Sequence, residues 1–317
     1  MPLLLVMGMG GTCQGWLSVT VPDLIKSGRP CILFDHRGAG QSEDPGGVFT
    51  TAEMAEDAHA LLEHLGLPRV HVLGGFLGGM IAQELVLAHA ERVAALILVG
   101  TYARADAKRR AVLELWKQMV ELKVPAELRI KQRLIWTLGD ATMEQEDLIE
   151  AMWRFYLRDD APMDDRVFVR QAEACIAHDA LDRIDRIDAP TLVVCGESDI
   201  LTPPVLSRQV VSRIKGSRLV LLPNSGHLVA AELAPRFNRL VIRFLAEQER
   251  PDGAGNAAVS RSSERGPRRA HLGWPGGCRG SPPPLFPRRE RRRQAGQDAR
   301  AFRGKSEAGA RSRERAR

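Results

Sequence analysis

Three separated segments of this 317-residue chain carry side chains suited to acyl chemistry. The first, Gly74-Gly75-Phe76-Leu77-Gly78-Gly79, follows the apolar run Val70–Leu73 and precedes an expected helix over Met80–His89. Small residues crowd such a turn because strand and helix approach closely around a strained apex residue. The second runs from Thr191 to Asp199, an apolar stretch ending in an acid, before Thr202-Pro203-Pro204 opens a helix. The third, Asn224-Ser225-Gly226-His227, follows the apolar run that ends at Leu222. The order is therefore turn, acid, histidine, each placed at the carboxyl end of an expected strand. In that arrangement an acid orients a histidine, which draws a proton from a nucleophile at the turn. The turn of this chain presents Phe76, and a phenyl ring has no proton to give and no lone pair for attack.

The elements that position these residues alternate between strand and helix patterns. Short apolar runs at Leu3–Met7, Cys31–Phe34, Val70–Leu73, Val93–Val99, Thr191–Cys195 and Arg218–Leu222 suit strands buried on both faces. Between them lie amphipathic stretches. Thr50 and Glu53 have capping-box spacing, Met54, Leu61, Leu62 and Leu65 share one helical face, and Gly66 supplies the stop. From Ala103 to about Asp188 the alternation gives way to consecutive helices, marked by Leu113, Trp116 and Val120, then Leu134 and Trp136, then Met152, Phe155 and Tyr156. An all-helical insertion between two parallel strands sits over the carboxyl edge of the sheet, where it lines a ligand pocket. Its aromatics serve equally well to hold helix to helix.

Composition narrows the classes. Hydrophobic residues make up 44% and charged residues 26%, as in an ordinary globular protein. The run Val93–Val99 is far too short for a membrane span, and the apolar start Met1–Met7 lacks the basic flank of a secretory signal. The five cysteines are widely spaced without a zinc pattern, so they read as reduced thiols of a cytoplasmic protein. His36, His59, His64 and His89 show no metal-ligand spacing. The net charge of +6 divides unevenly: residues 251–317 carry 17 basic and 6 acidic side chains, whereas residues 1–250 are mildly acidic. The basic segment has sixteen Arg to one Lys, the run Pro282–Pro284 and only Trp274, Phe286 and Phe302 as aromatics. Such a segment is expected to be a disordered, solvated tail; polyanion binding is the lesser reading.

Five motifs together resemble the α/β-hydrolase superfamily, and within it small bacterial esterases and enol-lactonase-like hydrolases, over about residues 2–248. They are Met7-Gly8-Met9-Gly10-Gly11, the segment Asp35 to Ser42, the glycine-rich turn, and the Asp199 and His227 segments. The resemblance implies an α/β-hydrolase fold: a mostly parallel sheet with helices on both faces and a helical cap. It places the core at 1–103 and 189–248, the cap at 104–188 and the tail at 249–317. Asp199 takes the place of the triad acid, His227 that of the general base, and the backbone N–H groups of Met9 and Leu77 form the oxyanion hole. Met7 stands where many members have histidine, and Phe76 where the family has serine, less often cysteine or aspartate. Members usually carry two more strands before Leu3–Met7, so the amino-terminal strands are expected to be missing and one sheet edge open. No cofactor or metal is implied; the expected partner is a small acyl or ester-like molecule, with no membrane.

Hydrolysis of carboxylic esters or lactones is therefore expected to be lost or severely reduced. The alternative is a non-hydrolytic ligand-binding protein, or a lyase or cyclase using His227 as acid and base. Ser42, Ser198, Ser225 and Cys13 are poor replacements for the nucleophile, since none stands on the turn. A dinucleotide reading of Gly8-x-Gly10 with Asp35 fails at Cys13, which stands where a third glycine or alanine is needed.

Overall fold

The computed structural model describes residues 1–157 and 164–249. The six apolar runs form six strands: β1 (Leu3–Val6), β2 (Cys31–Leu33), β3 (Val70–Gly75), β4 (Val93–Val99), β5 (Thr191–Gly196) and β6 (Arg218–Leu222). Their order is β2-β1-β3-β4-β5-β6, and every pairing is parallel. Alternate side chains of β1 enter two separate cores, as strand geometry requires. Leu3 and Leu5 pack with Trp16, Leu24, Phe237 and Phe244. Leu4 and Val6 pack with Met54, Leu62, Met80 and Ile81. The first core is closed by α1 (Gln14–Val19), α2 (Val21–Lys26) and, late in the chain, a helix over Ala234–Gln248. The second is closed by α3 (Thr51–His64) and α4 (Leu77–Ala88). Full burial of each such leucine contributes roughly 2 kcal/mol. The start of α3 has the expected capping box: Thr50 Oγ1 accepts from Glu53 N at 3.1 Å and Glu53 Oε2 accepts from Thr50 N at 2.7 Å.

The glycine-rich turn is tighter than its sequence suggests. Strand β3 continues through Gly75, and α4 begins at Leu77 rather than Met80, so the reversal falls on Phe76 alone. The glycines allow close approach of backbones: a Cβ on Gly78 would overlap the Val6 carbonyl oxygen, and one on Gly74 the Gly78 carbonyl oxygen. Helix propensity alone favours Gly78→Ala by about 1 kcal/mol. Because a backbone carbonyl cannot swing aside, we expect instead a loss of at least about 2 kcal/mol, read as a lowered midpoint of denaturant unfolding.

Between β4 and β5 the chain is helical: α5 (Ala107–Glu121), α6 (Ala126–Thr137), α7 (Asp140–Met143), α8 (Glu146–Tyr156) and α9 (Asp165–Ala177). Leu113 and Trp116 join the main core, while Ile130, Leu134 and Leu138 form a small cluster of their own. The insertion leaves and rejoins the core at one stem. Ala180 N donates to Ala103 O at 2.7 Å, and Arg104 Nε donates to Asp179 Oδ2 at 2.7 Å beside an antiparallel bridge between the same two residues. After β5 come α10 (Pro204–Arg213), then β6, α11 (Val229–Glu232) and α12 (Ala234–Gln248).

Buried His178 lies just below this stem, its Nδ1 2.9 Å from Thr51 Oγ1. Glu84 is 3.6 Å away but is gripped twice by Arg183, at 2.8 and 2.6 Å. Burial, and then the Arg183 charge, push the imidazole down to about 3 from 6.5. The unfolded chain therefore binds the extra proton between those two values. Stability should be fully present above pH 6.5 and fall as pH drops toward 3. We expect His178→Gln to flatten that slope by up to about 1 kcal/mol per pH unit, measured by urea unfolding at neutral and mildly acidic pH.

Glu249, expected to open the tail, is instead tied to the body. Arg29 donates to both its oxygens at 2.8 and 2.9 Å, and His71 Nε2 lies 3.1 Å away. The rest of the expected tail, with Cys278, lies outside the described residues. Among those described, no helix is long and apolar enough to cross a membrane.

Candidate active site

Phe76 adopts φ 46° and ψ −108°, a left-handed conformation that strains a residue with a Cβ by about 1–3 kcal/mol. Backbone bonds hold it there whatever its side chain. Phe76 N donates to Val99 O at 2.9 Å, and Phe76 O accepts from Gly79 N, Met80 N and Thr101 Oγ1. The ring is 5% exposed and meets two others edge-on: His227 at 5.2 Å between centroids and Tyr102 at 6.0 Å.

Asp199 and His227, in the neighbouring loops after β5 and β6, are joined. His227 Nδ1 lies 2.9 Å from Asp199 Oδ2. Thr202, whose sequence context marks it only as a helix opener, completes the group. Its N–H donates to Asp199 Oδ1 and its hydroxyl to Oδ2, both at 2.7 Å, and Oγ1 is 3.0 Å from His227 Nδ1. Burial tends to raise the Asp199 carboxyl, but the His227 charge and the bonds from His227 and Thr202 outweigh it and hold it below 3.8. A carboxylate at Nδ1 selects the tautomer with its lone pair on Nε2. Gly100 leaves the room this needs: at φ 50° it has no Cβ, which would stand 3.1 Å from His227 Nδ1. Glu232 fastens the histidine loop to the cap, accepting from Gly226 N at 2.9 Å, Gly139 N at 2.8 Å and Thr142 Oγ1 at 2.6 Å.

A cavity of about 200 Å³ opens beside this group. Met9, Phe76 and His227 share its lining with Trp116, Ile130 and Leu134 of the cap. Leu77 is buried at the first position of α4, where helix N–H groups lack intrahelical partners. Among the described residues, neither Met9 N–H nor Leu77 N–H has a protein acceptor. Gly10 N donates to buried Gln171 of α9 at 2.9 Å, a cross-link to the cap that nothing in the sequence marks.

No serine or cysteine is among the lining residues described. Ser42 donates to Asp35 O at 2.6 Å, and buried Ser225 to Leu222 O at 2.9 Å. Ser198 is exposed on the acid loop. Burial, reinforced by Asp35, pushes the Cys13 thiol up to about 11, far from a reactive thiolate. Asp35 itself ties loops together, accepting from Cys13 N at 2.7 Å and Gln41 N at 3.2 Å. His36 bonds Met7 O, and His59 and His89 stack at 3.6 Å; among the described residues no group of three or more His, Cys, Asp or Glu could hold a metal ion.

A family model described as the alpha/beta hydrolase fold matches residues 1–232. The chain belongs to the α/β-hydrolase family. It is 31% identical over 253 residues to BpoC of Mycobacterium tuberculosis H37Rv, which bears a non-heme bromoperoxidase name; the match covers 77% of this chain and 94% of that protein. RutD of Azorhizobium caulinodans, which bears a carbamate hydrolase name, is 28% identical over 78% of this chain and 91% of its own length. The solved enol-lactonase of Burkholderia xenovorans LB400 superposes with a TM-score of 0.69 at 25% identity, covering 77% of this chain and 91% of the enzyme. This α/β-hydrolase chain thus shares its fold with the solved enol-lactonase.

Proposed function

We propose that this protein is an α/β-hydrolase of the carboxylic-ester or lactone type whose hydrolysis is lost or severely reduced at Phe76. The observation that carries the reading is the Phe76 ring set edge-on to His227, on a turn whose backbone keeps the strained form of a nucleophile's seat. In this reading Asp199 orients His227, His227 Nε2 is the base, and the N–H groups of Met9 and Leu77 await the oxyanion. The nucleophile is the one missing part. A ring beside His227 also fills the space an attacked carbonyl needs, so catalysis by the remaining groups is expected to be small.

The substrate class is a small acyl or ester-like molecule, and the four free thiols at Cys13, Cys31, Cys175 and Cys195 favour a cytoplasmic setting. The assembled dyad and open cavity also fit a ligand-binding protein, or an acid/base lyase or cyclase. A fluorophosphonate probe should leave the natural chain unlabelled and label Phe76→Ser at residue 76. Hydrolysis of activated esters by the natural chain well above a His227→Ala control would overturn the proposal.

A further inference from the structure

Among the described residues, the cavity contains a cation without a counter-charge. Arg133 of α6 lines it, half-buried. Among the described residues its guanidinium makes no ion pair and donates no hydrogen bond, unlike Arg29, Arg37, Arg104, Arg129 and Arg183, each of which reaches a carboxylate. Its fixed contacts are the Phe168 ring, 4.9 Å from the guanidinium carbon, and the backbone of Gly10, where a Cβ would stand 2.8 Å from Nη1. Asp165, the acid nearest in effect, is occupied by Arg129 at 2.6 and 3.1 Å. Burial draws the group below its usual range, yet an arginine stays protonated at neutral pH. A half-buried, unpaired charge is unfavourable unless an anion meets it. The surrounding walls are mostly apolar, with Met7, Trp116, Ile130 and Leu134, and Tyr156 is the polar wall residue that interacts with Arg133.

From the unpaired guanidinium, the apolar walls and the shared cavity, we infer that the pocket binds an organic anion, its carboxylate forked onto Arg133 and its hydrocarbon part against the cap. A planar guanidinium matches a carboxylate through two parallel N–H···O bonds, and the Gly10 and Phe168 contacts hold the fork in place. The anion site stands on the natural chain by itself. Its extension, that the hydrolase reaction centre faces esters or lactones bearing a free carboxylate, rests on the reading of the previous subsection.

Calorimetric titration of the full chain with hexanoate and with hexanamide tests it. Hexanoate should bind at least about tenfold more tightly, the difference expected of a charge-assisted pair. Arg133→Gln should abolish that preference, and Arg133→Lys, which keeps a cation, should retain part of it. Equal affinity for acid and amide, absence of binding by either, or a preference that survives Arg133→Gln would each reject the anion site; survival would direct the anion to another basic segment. Hydrolysis of uncharged p-nitrophenyl acetate by Phe76→Ser does not involve Arg133. If that fails while hexanoate binds, the hydrolase reading alone falls; the reverse result removes the anion site alone.

Discussion

Phe76→Ser is expected to raise the hydrolysis of activated esters about 10³-fold or more over the natural chain. The gain follows from how little else must change. The serine inherits a backbone already held by Val99, Thr101 and the first turn of α4, so its Oγ projects from the apex beside His227. Removal of the ring also opens room for the acyl carbon. Stability should move the other way. Serine retains the positive φ and hence the strain, while the packing of the ring on Tyr102 and His227 is lost. Since the ring borders a cavity, the loss should be smaller than the ~3–5 kcal/mol of a sealed phenylalanine site. Steady-state kinetics with p-nitrophenyl acetate and a thermal melt on the same samples check both halves. An inert but folded Phe76→Ser would mean that the donors or the dyad are misplaced.

Adding Asp199→Asn to that active variant should reduce kcat by about 10⁴-fold with little change in the fold. The amide fills the same volume and still accepts from Thr202. It no longer requires the proton on His227 Nδ1, so the lone pair on Nε2 is no longer assured. An effect under about tenfold would show that Thr202, 3.0 Å from the same nitrogen, orients the ring unaided. The single Asp199→Asn change should also alter acid stability. Asp199 titrates lower in the folded chain than unfolded, so its contribution is present above pH 3.8 and lost as pH falls through the folded value. The variant should lack that part of the acid transition.

Much of this is legible in the sequence. Continuous apolar runs read directly as strands because both faces of the sheet are covered, and Asp199 and His227 stand out because each lies in the loop after such a run. The errors came from residues that serve backbones rather than side chains. Gly74 and Gly75 looked like loop but belong to β3, and Gly78 and Gly79 belong to α4, because what they supply is close approach. Arg133 was invisible for another reason. On an amphipathic helix an arginine reads as solvated, and only the crossing of α6 over Gly10 turns it inward. Gln171 and Glu232 share that limitation, their partners being 161 and 93 residues away for Gly10 and Gly139.

The stem joining Ala103–Arg104 to Asp179–Ala180 makes the helical insertion an exchangeable part. Its two ends already meet through a 2.7 Å backbone bond and an ion pair, so the sheet receives the chain back almost where it released it. Closing β4 against β5 therefore does not depend on the length of what lies between, and long insertions at such a joint add little loop entropy. A different set of helices grafted between Arg104 and Asp179 can keep this joint, but it must restore the bonds from Gly139 and Thr142 to Glu232 that fasten the His227 loop, and that from Gly10 to Gln171. Between those fixed points the pocket walls, and with them the choice of ligand, are free to diversify.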